Sequence, residues 1–392
     1  MIIATGIFSN LVSLLMFVVS LCLLVTIHEL GHFSMAKLFN VYCHEFSIGF
    51  GPKLFSKKRK NGETTFSIRA IPLGGYVSMY GEGTENQEVE ANIPKERSLL
   101  GVKKWKRAII MLAGIFLNFV LGFVFFAINR VAFPQPFATN QVTIVENSKI
   151  ASESLAQNGE NGAIITGDHI VSISKTFVIN DTTLGPLITE NVDSGNLWSE
   201  GFTYPSEATP KSVDDYAVFM ITYCHEVGDT NYTVEVRISP VVSTKNKLKW
   251  DTIGVSSFYE YHRLSFSKAI AQSGKDWVEG CNVIGKTLGG LFVGKNWDQI
   301  GGPIAIFSAS SSALNSGFGQ FMYLWGLISV NLAIFNLLPF PGLDGWHFVV
   351  IVFESITRKE MPEKVKNTIS FIGMILLFGL MIFVTARDII RL

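Results

Sequence analysis

Residues 11–25 read LVSLLMFVVSLCLLV without a single charged side chain, and three further runs of similar character follow along the chain. A hydrocarbon core of about 30 Å takes roughly 20 helical residues to cross. Peptide groups find no water there, so only helices and closed barrels are admissible. Four segments are long enough: about 7–27, continuing as helix toward Phe39, then about 108–129, 318–338 and 368–386. The expected fold is therefore a polytopic α-helical membrane protein with four transmembrane helices. Composition agrees, since hydrophobic residues make up 48% of the 392 and charged residues only 16%, more apolar than a soluble domain usually is. The start MIIATGIFSN lacks the basic region of a signal peptide, and ionisable residues follow the apolar run instead of a small-residue cleavage site, so the first helix is expected to be retained.

Net charge is zero, which gives no case for a polyanionic partner, and nucleic acid is not expected. The charge is nonetheless unevenly spread. Residues 37–107 carry 13 Lys and Arg against 7 Asp and Glu, whereas residues 131–319 carry 12 against 19. Basic loops stay in the cytoplasm, so the first region is read as cytoplasmic and the second as external. The segment 340–367, with Arg358, Lys359, Lys364 and Lys366, again reads as cytoplasmic. Both termini then lie outside, although the two arginines of the tail ARDIIRL pull weakly the other way.

The expected organisation is a first transmembrane helix within 1–40, a β loop over 41–107, a second helix at 108–130, an external β-rich domain at 141–256, amphipathic helices near the outer membrane surface at 257–316, a third span at 317–339, a cytoplasmic segment at 340–367 and a fourth span at 368–388. The β reading of 141–256 rests on alternating runs such as AIITGDHIVSI and NYTVEVRI. The polar stretch ENVDSGNLWSEGFTYPSEATPKS interrupts it as a surface excursion. Apolar residues at helical spacing in SFSKAIAQSGKDWVEGCNVIGKTLGGLFVG suggest the amphipathic helices. The four cysteines show no CxxC spacing, and nothing requires Cys224 and Cys281, both on the outer side, to pair.

The first apolar run ends in TIHELGHF. Positions four apart in a helix share a face, so His28 and His32 present imidazoles to one point and can bind one zinc ion. Glu29, beside the first of them, is placed to take a proton from an attacking water and return it to a leaving amine. Such a pentapeptide arises by chance about once in a hundred chains of this length. Its setting weighs against chance, because each ionisable group inside a membrane costs roughly 2.5–3.5 kcal/mol on insertion scales. A catalytic zinc takes three protein ligands and leaves one position open. The third must come from elsewhere, and NLLPFPGLDGWH at residues 336–347 is the source, with Pro339 and Pro341 breaking the third span. On residues alone, Asp344 and His347 both compete for that role.

HELGH in the first span and NLLPFPGLDG at the end of the third closely resemble the site-2 protease family of intramembrane zinc metalloproteases, above all its bacterial branch with a PDZ domain between the second and third spans. FSIGFGPKLF and IRAIPLGGYVSMYGE look like that family's membrane-associated β loop, AGIFLNF like its second-span pattern, GGPIAIF like the entry to the third span, and GDHIVSI like a core PDZ strand. The resemblance implies that His28, His32 and Asp344 ligate Zn2+, that Glu29 is the general base, and that Asn118, Asn331 and Asn336 contact or orient substrate or the oxyanion. It implies one inserted extracytoplasmic PDZ-like domain, location in the inner membrane with the active site toward the cytoplasm, and hydrolysis of peptide bonds in single-pass membrane proteins: an anti-sigma factor, a membrane-bound regulator or a remnant signal peptide. Two departures stand out: Gly114 is followed by Ile115 where the family usually has Pro, and Trp346 replaces a glycine.

Two mechanistic expectations follow. The TTFSIRAIPLGGYVSMYG stretch would accept an unwound substrate as an added strand. The PDZ-like domain would exclude substrates that another protease has not trimmed. A catalytically inactive membrane-anchored scaffold is the main alternative, disfavoured by the intact Glu29; a metal transporter would need more ionisable residues along all four spans.

Overall fold

The computed structural model describes residues 2–58, 60, 62–81, 93–145, 148–190, 198, 202–243, 248–294 and 300–391. Two compact units make up the chain: one comprises the residues up to Phe133 and those from Arg263 onward, the other Pro134–His262.

The first unit is mainly helical. Its helices are α1 (Ile2–Leu38), α2 (Lys104–Ala132), α4 (Phe266–Phe292), α5 (Pro303–Asn315), α6 (Phe318–Leu337), α7 (Asp344–Thr357) and α8 (Glu363–Arg391), with α3 (Lys149–Asn158) belonging to the other unit. Among the described residues, four segments are long and apolar enough to cross a membrane: Asn10–Leu38, Lys104–Ala132, Phe318–Leu337 and Lys364–Ile390. Helix α1 thus carries the apolar run and HELGH in one piece. It stops where Asn40 adopts φ 63° and two backbone bonds, Val41 N–H to Ala36 O at 2.8 Å and Asn40 N–H to Lys37 O at 3.0 Å, satisfy the last carbonyls.

Two long strands follow, β1 (Cys43–Lys58) and β2 (Thr65–Met79), paired antiparallel. Both bend, helped by Gly49 and Gly51 at φ 87° and 82°. Phe46 consequently pairs with Val77 on one side and Phe66 on the other, while Lys57 also pairs with Phe66. Two strands therefore make a curved sheet of four legs, with the Gly75–Met79 leg at one edge. Phe46 and Val77 of the sheet pack in one buried cluster with Ala36, Val41, Ile110 and Ile351, which fixes the sheet to α1 and α2.

Helix α4 does more than lie on a surface. Asp276, only 3% exposed, receives Arg130 of α2 at 2.6 and 2.9 Å, and Trp277 donates its indole N–H to the Phe119 carbonyl in the middle of α2 at 3.0 Å. Helix α8 is held at one end by Asp388, which accepts from Ala305 N–H in the first turn of α5 at 3.0 Å.

The second unit is built on a sheet of order β10–β3–β4–β6–β7, with β5 also pairing β4; the strands are β3 (Gln135–Ile144), β4 (His169–Ile179), β5 (Thr182–Thr189), β6 (Tyr216–Cys224), β7 (Tyr232–Ile238) and β10 (Val255–His262). A short β8 (Pro240–Val242) pairs with β9 (Leu248–Trp250). Strand β10 runs on to His262, past the expected boundary at 256, because the alternation of SSFYEYH continues its pairing with β3. Ile170, Ile173, Phe177, Phe219, Tyr223 and Val234 form the core, each with 0–1% exposure, and each such side chain contributes roughly 1.5–3 kcal/mol. Helix α3 (Lys149–Asn158) closes the β7 edge: the Gln157 carboxamide donates to Glu235 O at 2.8 Å and accepts from Glu235 N–H at 3.0 Å. Of the polar stretch from Glu190, residues 191–197 and 199–201 lie outside the described residues. Its described part packs inward, with Trp198 donating to Thr139 O and Trp250 to Ala208 O at 3.1 and 2.6 Å. All four cysteines are free.

Candidate metal centre

His28 and His32 sit one turn apart on α1 and both are buried. Their Nε2 atoms lie 3.2 Å apart, and Asp344 Oδ2 lies 3.0 Å from the first and 3.2 Å from the second. Among the described residues these three form the one cluster of histidine, cysteine and acidic groups able to hold a metal ion.

Local sequence explains how distant residues meet. Pro339 and Pro341 end α6, and Gly342 turns the chain at φ 102°. A Cβ on Gly345 would lie 2.3 Å from Leu337 O, so only glycine lets the start of α7 cross the end of α6 this closely. Asp344 thereby becomes the first residue of α7, where the helix dipole favours its carboxylate. On the other side, Gly31 and Gly114 let α1 and α2 touch backbone to backbone: a Cβ on Gly31 would be 2.4 Å from Ala113 O.

The donor set suits a metal. His32 Nδ1 lies 2.8 Å from Ile110 O, so Nδ1 carries the proton and Nε2 keeps its lone pair toward the cluster. Asp344 Oδ2 is buried and faces the Nε2 atoms of both histidines. A tetrahedral ion about 2.0–2.1 Å from each ligand separates ligand atoms by roughly 3.3 Å, close to what these three atoms adopt.

Glu29 is half-buried beside the edge leg of β2; a Cβ on Gly75 would be 3.5 Å from its Cγ, and the Val77 backbone faces its carboxylate. His347 lies outside the cluster, which leaves Asp344 as the third group. Asn118 is fully buried on α2, 3.1 Å from His28 Nδ1. Asn331 and Asn336 are half-buried on α6, and no described hydrogen bond joins them to His28, His32 or Asp344. What the sequence reading missed is the pair Gly31 and Gly114 as the close contact that builds the site, and the Ile110 carbonyl, which as backbone leaves no residue-type signal.

Residues 16–380 match the model of peptidase family M50. A Clostridium perfringens protein carrying the name zinc metalloprotease is 32% identical, with 94% of this chain and 95% of that protein covered. A Rickettsia conorii protein of the same name is 28% identical over 97% and 99% of the two chains, and an Enterococcus faecalis protein carrying the name protease Eep is 25% identical over 97% and 99%. Full-length likeness of this kind, around helices that can cross a bilayer, accounts for the buried histidines and carboxylate at once: the chain belongs to peptidase family M50, the site-2 proteases, and is an integral membrane zinc metalloendopeptidase.

Proposed function

We propose that the protein cuts peptide bonds within or beside the transmembrane segments of single-pass membrane proteins, with zinc held by His28, His32 and Asp344 and with Glu29 as general base. The observation that carries this reading is the convergence of three ligating atoms from α1 and α7 to within 3.0–3.2 Å of one another. Zinc at such a site supplies an acidified water and polarises the scissile carbonyl. The chain's own residues do the rest. Glu29 takes the proton of the attacking water and returns it to the leaving amine, a task worth about 10²–10⁴ in rate.

Substrate binding follows from the β2 edge. A transmembrane helix shields its peptide bonds, so the substrate must unwind, and its freed N–H and C=O groups then need partners. The Gly75–Met79 leg pairs with β1 on one side and runs past Glu29 on the other, which supports its taking the substrate as an added strand beside the metal. Asn331 and Asn336 on α6 are assigned to the substrate side. The charge bias of the loops supports external termini and an active site toward the cytoplasm of an inner membrane. The second unit, PDZ-like in its sequence motif, acts as a size filter that admits substrates already trimmed outside, whether anti-sigma factors, membrane-bound regulators or remnant signal peptides.

The deciding experiment pairs zinc analysis of the purified protein with Glu29→Gln assayed on a model single-span substrate. Full zinc and a loss of cleavage of at least a hundredfold are expected. Undiminished cleavage would remove Glu29 from the mechanism, whereas a wild type that holds no zinc and leaves the substrate uncut would favour a scaffold.

A further inference from the structure

The three proposed ligands use one nitrogen of each histidine, and the second nitrogen of each needs a partner too. His32 Nδ1 has the Ile110 carbonyl at 2.8 Å. His28 Nδ1 has Asn118 at 3.1 Å, and the atom facing it is Nδ2. The other end of that carboxamide, Oδ1, is buried without a hydrogen-bond partner.

These contacts define two states of the pair. When Nδ2–H donates to His28 Nδ1, the imidazole proton resides on Nε2 and points at Asp344 Oδ2, 3.0 Å away. That tautomer has no lone pair to offer at Nε2 and cannot ligate a metal there. When Nε2 ligates, the proton moves to Nδ1, and an N–H now faces the amide. Two donors cannot share a 3.1 Å contact. A half-turn of the carboxamide exchanges oxygen for nitrogen at nearly constant shape, brings Oδ1 onto Nδ1–H and gives the orphaned oxygen its partner.

Resting on the ligand assignment above, we propose that Asn118 is the positioning residue of the metal ligand His28: its carboxamide oxygen accepts Nδ1–H and selects the tautomer whose Nε2 binds zinc. Such outer partners orient ligating histidines and raise their basicity, and their loss costs about 10–100-fold in metal affinity. This role departs from the family resemblance, which points Asn118 at substrate. Its burial argues for the new role, since a side chain with 0% exposure has no surface to offer a substrate. The position is also clamped from two sides. Ser329 of α6, itself fully buried, donates its hydroxyl to the Asn118 carbonyl at 2.7 Å, and Trp277 of α4 holds the next carbonyl, that of Phe119. Backbone held this firmly sets the amide at a fixed distance from the imidazole.

The test uses the full chain purified in detergent, with zinc affinity read by chelator competition and the visible spectrum of the Co2+-loaded protein as a second readout. Asn118→Ala is expected to weaken zinc by at least tenfold and to alter the Co2+ bands, whereas Asn118→Asp, which keeps an acceptor oxygen, restores both to within a few-fold. A merely structural role would be rescued by neither acidic nor amide oxygen in particular, and Asn118→Leu, similar in volume, would then behave as wild type. A substrate-side role would leave zinc affinity and spectrum of Asn118→Ala at wild-type values and lower turnover alone. Either of the last two results overturns the proposal. His28→Ala separates it from the ligand assignment beneath it: unchanged zinc affinity in that variant refutes the ligand assignment, whatever Asn118 does.

Discussion

A Cβ placed on Gly114 would lie 2.4 Å from His32 Nε2 and 2.9 Å from His28 Cε1. The second-span glycine is therefore part of the wall of the candidate metal centre, set against the two imidazoles, and the only side chain it tolerates is a hydrogen atom.

From this, Gly114→Ala is expected to displace His32 at a strain cost of about 1–3 kcal/mol and to lower zinc affinity by at least tenfold, with cleavage falling in step. Gly122→Ala is the control. Its Cβ would meet Val330 Cγ2 at 2.7 Å, a clash on the same helix away from the ligands, so it should lower the melting temperature while zinc stoichiometry holds. Zinc quantified per folded protein distinguishes the two.

A second prediction concerns the far end of α7, the helix that begins with Asp344. Glu354 has no exposed surface and is ion-paired with Lys366 of α8; Arg107 of α2 lies 3.6 Å away, the Met361 N–H donates to its carboxylate at 3.2 Å, and Lys104 donates to its backbone carbonyl at 2.6 Å. Removing the carboxylate strands the buried Arg107 and the part-buried Lys366, a loss of about 3–5 kcal/mol. Glu354→Ala should lower the thermal midpoint sharply, and Glu354→Gln, which keeps the acceptor for Met361, less so. Equal melting of both variants and wild type would show that the cations are solvated in place.

Much of this arrangement could be read from residue types, and the remainder could not for identifiable reasons. Apolar length announces a span, and HELGH announces its own geometry, because helical periodicity alone puts His28 and His32 on one face. Asp344 needed the proline break at 339 and 341 to be noticed, and on residues alone His347 competed with it. The four-legged sheet was not legible: a bend in which Phe46 pairs with both Phe66 and Val77 leaves the same alternation as a plain hairpin. Nor was the packing of α4, since its anchor is the indole of Trp277 on a main-chain carbonyl, and backbone acceptors carry no residue signature. Asn118 was legible through the resemblance, but its 3.1 Å contact with His28 was not, because a sequence gives the residue but not the face of the helix partner that it meets.

The hairpin's attachment to α1 should be acid-sensitive. Arg97 pairs with both Glu63 oxygens at 2.7 and 2.8 Å and Lys37 with one at 3.0 Å; chiefly through the Arg97 bonds, these hold the Glu63 carboxyl at about 2, below its ordinary 4.5. A depressed folded-state value means that the contribution is fully present above about pH 4.5 and disappears as pH falls toward 2. Thermal melts between pH 6 and pH 3 should therefore show a falling midpoint, and Glu63→Gln should remove part of that slope while leaving it unaltered above neutrality. The side chain is partly exposed, so high salt should shrink the effect.

Metal removal gives the last prediction. The turn 338–343 between α6 and α7 is held by few internal bonds, among them Phe340 N–H to Leu338 O at 2.7 Å and Leu343 N–H to Phe340 O at 3.0 Å. A zinc ion bridging His28 and His32 on α1 to Asp344 on α7 would tie that turn to the first span. An ion at a thousand times its dissociation constant adds about 4 kcal/mol to the folded state, and a chelator withdraws it. Chelation should then lower the melting temperature and accelerate amide hydrogen exchange across 338–346, leaving exchange in the sheet of the second unit unchanged; restoring zinc should reverse both. Asp344→Ala should show the accelerated exchange from the outset and respond to the chelator far less, because the tether it removes is the one that the metal completes.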